Sequence, residues 1–197
     1  MCIRDSYPAK AYKFRQDSCF LYFFGQKRDG LVGVIDADSG EELLLGNEID
    51  IEDIVWYGSV HSVKAMAEET GANASAPMAR LAELVNEARK AGRKIHFLPP
   101  YRHDTQIALM DLLGIHPSEQ RAAASLELIK AVVKLRSIKT EEEIAELEKA
   151  SAIGYRMHTA AMRMARPGVT EQYISGVMEG IAHAYGCLLY TSPSPRD

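Results

Sequence analysis

The sequence predicts an α/β domain followed by a pair of helices. Short apolar runs separated by turn signals fill the first part of the chain. Amphipathic helical patterns then alternate with one further apolar run, as in a sheet flanked by helices. Beyond these lies Arg136 to Thr170, a long helical pattern with a marked start and a marked stop.

Ser18 to Gly25 (SCFLYFFG) is rich in aromatic residues and reads as a buried strand. Gly30 to Asp36 reads as a second. The polar stretch Gln26-Lys27-Arg28-Asp29 between them predicts an antiparallel hairpin. Asp38-Ser39-Gly40 makes the next turn and Glu41 to Leu45 a third strand, giving a meander. Ile49 to Tyr57 alternates at first and then turns apolar, and it reads equally as a short helix or a strand. Ser62 to Glu69 predicts a short helix. Pro77 to Ala91 predicts a longer one, with Met78, Leu81, Leu84, Val85 and Ala88 on one face and Gly92 as its stop. Ile95 to Leu98 reads as a strand ended by Pro99-Pro100, and Thr105 to Leu113 as a helix closed by Gly114. Leu126 to Leu135 is a helix or an extended arm leading to Arg136. The α/β part is thus roughly 130 residues long, an ordinary domain size.

The long helix starts at a capping box. Thr140 can cap the first turn and Glu143, three residues on, can reach back to it. Glu141, Glu142 and Glu143 place negative charge at the positive end of the helix dipole. Ile144, Leu147, Ser151, Gly154, His158 and Ala161 follow at spacings of three and four. Arg163 and Arg166 fall near the end, and Pro167-Gly168 stops the helix. Thr170 caps one more helix, Glu171 to Ala184.

Composition excludes several classes. Of the 197 residues, 47% are hydrophobic and 25% charged, which is a globular balance and not a disordered one. A formal charge of −4 disfavours nucleic acid as the main partner, because phosphate binding needs a concentrated basic face. No apolar run approaches the ~18 residues of a membrane helix. Met1 to Lys10 has no apolar core of the signal-peptide kind. Cys2, Cys19 and Cys187 are few, odd in number and without metal-ligand spacing, which predicts a reducing compartment and no disulfides. Met1 to Ser6 and Leu188 to Asp197 resemble translated adaptor sequence. We expect residues 1–6 and 188–197 to be non-native and set them aside.

The residues offer little local chemistry. His96 and His103 lie seven apart around Pro99-Pro100, with Asp104 beside them; turn hydrogen bonding is favoured over metal binding. His158 and His183 lie on the two late helices and read as ordinary core or surface residues. Glu141 to Glu143 read as a solvated helix start. Gly30-Leu31-Val32-Gly33 lacks the spacing and the following helix of a dinucleotide loop. Cys19, within an apolar strand, reads as core. Trp56, the only tryptophan, divides evenly between core packing and the flat wall of a peptide pocket. Taken alone, the residues give no catalytic set and no metal site.

Four stretches carry a resemblance: YPAKAYKFRQDSCFLYFFG, IVWYGSV, LRSIKTEEEIAELEKASAIGYRMHTAAM and RPGVTEQYISG. Together they resemble the Xaa-Pro aminopeptidases (aminopeptidase P), relatives of prolidase and creatinase, from Tyr7 to about Gly186. The resemblance implies a creatinase-type N-terminal domain, a mixed sheet flanked by helices, over residues 7–135, with its first strand and helix missing. Residues 136–186 would then be the first two helices of a truncated pita-bread catalytic domain. The family's activity is release of the first residue from peptides with proline second, by hydrolysis at two divalent metal ions, usually manganese, held by two Asp, one His and two Glu. From Ser137 to Gly186 there is no aspartate, so the resemblance leaves this chain without metal ligands or catalytic residues, and we expect it to be inactive by itself. Trp56 matches the tryptophan that lines the family's substrate pocket. A peptide substrate, a homo-oligomer formed through the N-terminal domain and a cytoplasmic location are implied as well. The alternative is a non-catalytic peptide-binding or oligomerisation module of a pita-bread pseudo-peptidase.

Overall fold

The structure is a computed structural model that describes residues 15–51, 54, 55, 58 and 61–186. Its contacts form two units, one running to Val132 and one starting at Val133.

The first element corrects the strand expected at Ser18 to Gly25. It is a helix, α1 (Ser18–Phe24). Asp17 Oδ1 accepts the N–H groups of Cys19 at 2.8 Å and Phe20 at 2.9 Å. Gly25 closes the other end in the left-handed region at φ 63°, where a side chain would be strained. Caps at both ends outweigh the β preference of the aromatic residues. Phe20 and Phe24, one turn apart, stack at 5.2 Å. The hairpin expected between this segment and the next therefore does not form.

The hairpin lies one step later. β1 (Val32–Ile35) and β2 (Glu42–Leu45) pair antiparallel from Val32 opposite Leu45 to Ile35 opposite Glu42. Asp36 shapes the turn, its Oδ1 accepting the N–H groups of Asp38 and Ser39. The third strand, β3 (Ala74–Ala76), pairs parallel to β2, so the sheet is mixed, with order β1-β2-β3. β3 was not expected, since Ala-Ser-Ala has neither β-branched nor aromatic side chains.

Between β2 and β3 the chain is helical at Ile51, Ile54 and Val55, which favours the helical reading of that ambiguous stretch. It then forms α2 (Val63–Thr70), capped by Ser62 and ended by Gly71. α1 and α2 supply most of the core: Phe24, Val63, Met66 and Ala67 enclose Leu44 of the central strand. Leu44 is fully buried. Gly33 of β1 lies directly beneath Phe24, where an added Cβ would stand 2.0 Å from the ring.

α3 (Arg80–Lys90) begins three residues later than Pro77. Ile95 to Leu98, expected as a strand, joins no ladder among the described residues. The Phe97 carbonyl accepts the Ser125 N–H at 3.1 Å instead. α4 (His103–Leu113) ends at Gly114, as expected. α5 (Pro117–Ala123) was not expected, although His116 caps it and Pro117 occupies its first position. Gln120, fully buried, donates from Nε2 to the carbonyls of Gln106 (2.8 Å) and Ile115 (2.9 Å), which ties α4 to α5.

α6 (Leu126–Ser137) resolves the open choice at Leu126 to Leu135 as a helix, and the boundary between the units falls within it. In the second unit α7 (Glu141–Met164) carries the expected capping box. Thr140 Oγ1 accepts the Glu143 N–H at 3.2 Å and the Glu143 carboxylate accepts the Thr140 N–H at 2.9 Å. α8 (Glu171–Ala184) is capped by Thr170, packs on α7 and buries Ala182 completely.

Candidate functional site

A set of polar residues distant in sequence is gathered around the start of α1. The Gln16 side chain accepts the Asp17 N–H at 2.9 Å and donates from Nε2 to the Arg28 carbonyl at 2.7 Å. Arg28 Nη2 reaches on to the Asn47 carbonyl. Asp17 uses one carboxylate oxygen to cap α1, and its other oxygen accepts the Tyr101 hydroxyl at 2.8 Å. The Arg102 guanidinium donates to the Arg15 carbonyl. The stretch Arg15-Gln16-Asp17-Ser18 is thereby clasped to the turn Pro99-Pro100-Tyr101-Arg102. Desolvation of the Tyr101 hydroxyl, followed by its bond to Asp17, pushes its pKa up. Within the clasp the Gln16 amide, the Asp17 carboxylate and the Tyr101 hydroxyl are all turned toward other parts of this chain, while Arg28 Nη1 is buried without a hydrogen-bond partner among the described residues.

A second polar set joins the β1–β2 turn to the segment after α3. Arg93 grips Asp36 with both guanidinium nitrogens, at 2.5 and 2.8 Å, and reaches Asp38 at 2.8 Å. The Arg93 bonds, then the N–H groups of Asp38 and Ser39, hold the Asp36 carboxyl well below the usual carboxylate range.

His96 and His103 do not converge with Asp104. Ser125 Oγ donates its single proton to Glu127 at 2.9 Å and accepts the Leu128 N–H, so His96 Nδ1, 2.6 Å away, must be the donor to it. The N–H of Glu127 itself, then Ser125 and Lys94, lower the Glu127 pKa. His103 Nδ1 sits 3.2 Å from Gln106 Oε1, and Asp104 accepts the N–H of Thr105. His103 and Asp104 thus bond within the first turn of α4, whereas His96 is tied to Ser125, 29 residues further on. His158 and His183 lie exposed on α7 and α8, and Glu141, Glu142 and Glu143 form the first turn of α7. Cys19 is half-buried on a helix, which corrects its reading as a core strand residue. Among the described residues no three His, Cys, Asp or Glu side chains come close enough to hold a metal ion.

Trp56, the one substrate-binding residue assigned from sequence, lies outside the described residues, as does Tyr57. In the second unit a cleft of about 470 Å³ is lined by Glu146, Lys149, Ile153, Arg156 and Tyr185. Its charges are matched locally: Lys149 meets Glu146 at 2.6 Å, and Arg156 lies over the Tyr185 ring at 4.5 Å.

The sequence reading missed Tyr101, Arg102, Ser125 and Glu127. Ser125 directly before an apolar helical run is a cap signal that could have been found. Tyr101 and Arg102 carry no local signal, since their partners lie 84 and 87 residues away.

Residues 4–96 match the family model described as aminopeptidase P, N-terminal domain. The Xaa-Pro aminopeptidase of Escherichia coli (strain K12) is 27% identical over 173 residues, covering 84% of this chain and 39% of that protein. The Xaa-Pro dipeptidase of Homo sapiens is 21% identical over 192 residues, covering 91% of this chain and 36% of that protein. Among solved structures, the Pseudomonas aeruginosa aminopeptidase PepP shares the fold with a TM-score of 0.69 at 23% identity, over 89% of this chain and 41% of that one. The low-pH form of aminopeptidase P from E. coli gives 0.68 at 23% identity, over 89% and 42%. The chain spans well under half the length of each of these relatives.

Proposed function

We propose, from the match of residues 4–96 to the aminopeptidase P N-terminal domain, that this chain is part of an Xaa-Pro aminopeptidase. In its longer form the enzyme would release the N-terminal residue from peptides with proline second. The match over residues 4–96 carries this reading, and the shared fold across 89% of the chain supports it. Residues 7–135 would form the creatinase-type domain and residues 136–186 the opening helices of the catalytic domain.

Two divalent metal ions, manganese or similar, would supply the activated water for hydrolysis. The residues present do not fit such a centre. Two hard cations close together need several converging carboxylates. In the second unit the described carboxylates are glutamates on two helices, with Glu141, Glu142 and Glu143 committed to a helix start and Glu171 and Glu179 exposed. We therefore place the metal ligands in additional polypeptide and propose that the 197 residues alone are inactive. Trp56 would wall the substrate pocket, the N-terminal domain would support a homo-oligomer, and the location would be cytoplasmic. No helix among the described residues is long and apolar enough to cross a membrane.

The experiment is to recover the complete open reading frame, express it with manganese, and assay a short peptide with proline second. Release of the first residue by the longer protein, and none by the 197-residue chain, is expected. In the longer protein Trp56→Ala should lower kcat/KM with an unchanged melting temperature. Metal-dependent release by the 197-residue chain itself, from a host without aminopeptidase P, would overturn the assignment of the ligands to other polypeptide. A longer protein that keeps the fold but lacks the five ligands would instead be the peptide-binding module.

A further inference from the structure

β1 is paired on one side only among the described residues. The Asp36 N–H meets the Glu41 carbonyl at 2.8 Å, and Val34 and Val32 continue that register opposite Leu43 and Leu45. In an antiparallel ladder the residues of such pairs turn both backbone groups toward the partner strand, and the residues between them turn both away. The N–H and C=O groups of Gly33 and Ile35 therefore face the outer edge, where no described strand pairs with them. Ile95 to Leu98 offers a second such edge. It gives the Phe97 carbonyl to Ser125 and joins no ladder among the described residues. Pro99 favours an extended Leu98. In an extended chain the backbone groups of His96 and Leu98 point away from those of Phe97, and so away from Ser125.

The two edges are held beside each other at both ends. Arg93, just ahead of Ile95, grips Asp36 just past the end of β1. Beyond Leu98, Tyr101 and Arg102 hold Asp17 and Arg15, and Gln16 holds the Arg28 carbonyl ahead of β1. Ile95 to Leu98 thus runs alongside β1 in the opposite direction, tied through long side chains and by no backbone ladder. Paired strands lie about 4.8 Å apart, so a strand between these two edges would set them about 9.6 Å apart, a width that arginine and tyrosine side chains suit. Leu44 and Leu45 point to opposite faces of the sheet and both are fully buried, so the sheet is covered on both faces. Along the two edges Val32, Val34, Ile95, Phe97 and Leu98 are only half-buried. We propose that the slot between β1 and Ile95–Leu98 takes one further strand, an uncharged apolar segment of about five residues that pairs with both edges at once. Cover on both faces calls for a continuous apolar run and not an alternating one, and the backbone groups of the two edges supply the binding. The inference rests on these edges and ties and not on the peptidase reading.

The test is amide hydrogen exchange, read by nuclear magnetic resonance on the 197-residue chain. The probe is a synthetic peptide with a run of alternating valine and isoleucine, about five residues long, between pairs of lysines. In the free chain Val32 and Val34 should exchange slowly, which shows the sheet formed, and Gly33 and Ile35 fast. Adding the peptide should slow Gly33 and Ile35 roughly tenfold or more, and His96 and Leu98 across the slot with them. The same peptide with proline at its centre lacks the middle N–H and should leave all four fast. Slowing of Gly33 and Ile35 alone is addition to β1 without insertion, and it overturns the proposal. So does equal slowing by the proline peptide, or no slowing at any concentration at which the peptide is monomeric. Gly33 and Ile35 already slow before peptide is added also overturn it. If they are slow at every dilution, other residues of the chain fill the slot; if only when concentrated, a second copy does.

Discussion

Asp17→Ala removes the cap of α1 and its distant tie in one step. In the wild-type chain Asp17 Oδ1 satisfies two N–H groups at 2.8 and 2.9 Å, and Oδ2 receives the Tyr101 hydroxyl at 2.8 Å. Loss of an N-cap of this kind costs about 1 kcal/mol, within a range of roughly 0.5–2. The Tyr101 bond adds about 0.5 kcal/mol, the low end for a hydrogen bond, because Tyr101 is 68% exposed and water can replace its partner. The expected loss is about 1.5 kcal/mol. α1 carries Phe24, 6% exposed, into the core, so the loss should appear in the cooperative transition of the first unit and not as local fraying. The assay is urea unfolding followed by circular dichroism, with Asp17→Asn and Tyr101→Phe alongside. Asn caps as well as Asp, so Asp17→Asn should lose less than about 0.5 kcal/mol. The reasoning fails if Asp17→Ala unfolds at the wild-type midpoint, or if Asp17→Asn is as damaging as Asp17→Ala.

Gly33→Ala should cost about 1–3 kcal/mol, since its Cβ meets the buried, stacked Phe24 ring at 2.0 Å; an unchanged midpoint in urea would place α1 elsewhere. Thr140→Ala should cost about 1 kcal/mol in the unfolding of the second unit, with a smaller loss for Glu143→Ala, as read by helicity on heating. The Asp36 carboxyl is held below its ordinary pKa, so its stabilising contribution is present above about pH 4 and is lost as the pH falls through the depressed folded value. Arg93→Gln should therefore lower the urea midpoint at pH 7 and flatten its decline below about pH 4. A variant with the wild-type pH dependence would show that Arg93 does not hold Asp36 in solution.

The parts of the fold that were legible are those fixed by neighbours in sequence. Thr140 with Glu143, and Thr170 with its own first turn, mark α7 and α8 because cap and capped group lie three residues apart. Ser18 to Gly25 was misread for a different reason. Its aromatic residues favour a strand, while the competing signals, Asp17 before it and Gly25 after it, occupy single positions. Ile95 to Leu98 has strand composition but gives its Phe97 carbonyl to Ser125, a contact that no local pattern announces. The candidate site divides along the same line. The helical cap at Asp17 could be read from sequence, whereas Tyr101 and Arg102 reach that stretch from 84 and 87 residues away.

The clasp at Asp17 also bears on the order in which the chain folds. One oxygen of that carboxylate meets groups two and three residues away, and the other meets a hydroxyl 84 residues away. Closing a loop of that length costs about 4 kcal/mol in chain entropy before any constant term, several times what one exposed hydrogen bond returns. The Tyr101 tie is therefore expected to form late, once other contacts have met that cost, while the α1 cap is available from the start. Tyr101→Phe should speed unfolding and leave the refolding rate as it was, whereas Asp17→Ala should change both. A single side chain thus takes part in one early event and one late one, and stopped-flow rates for the two variants separate them.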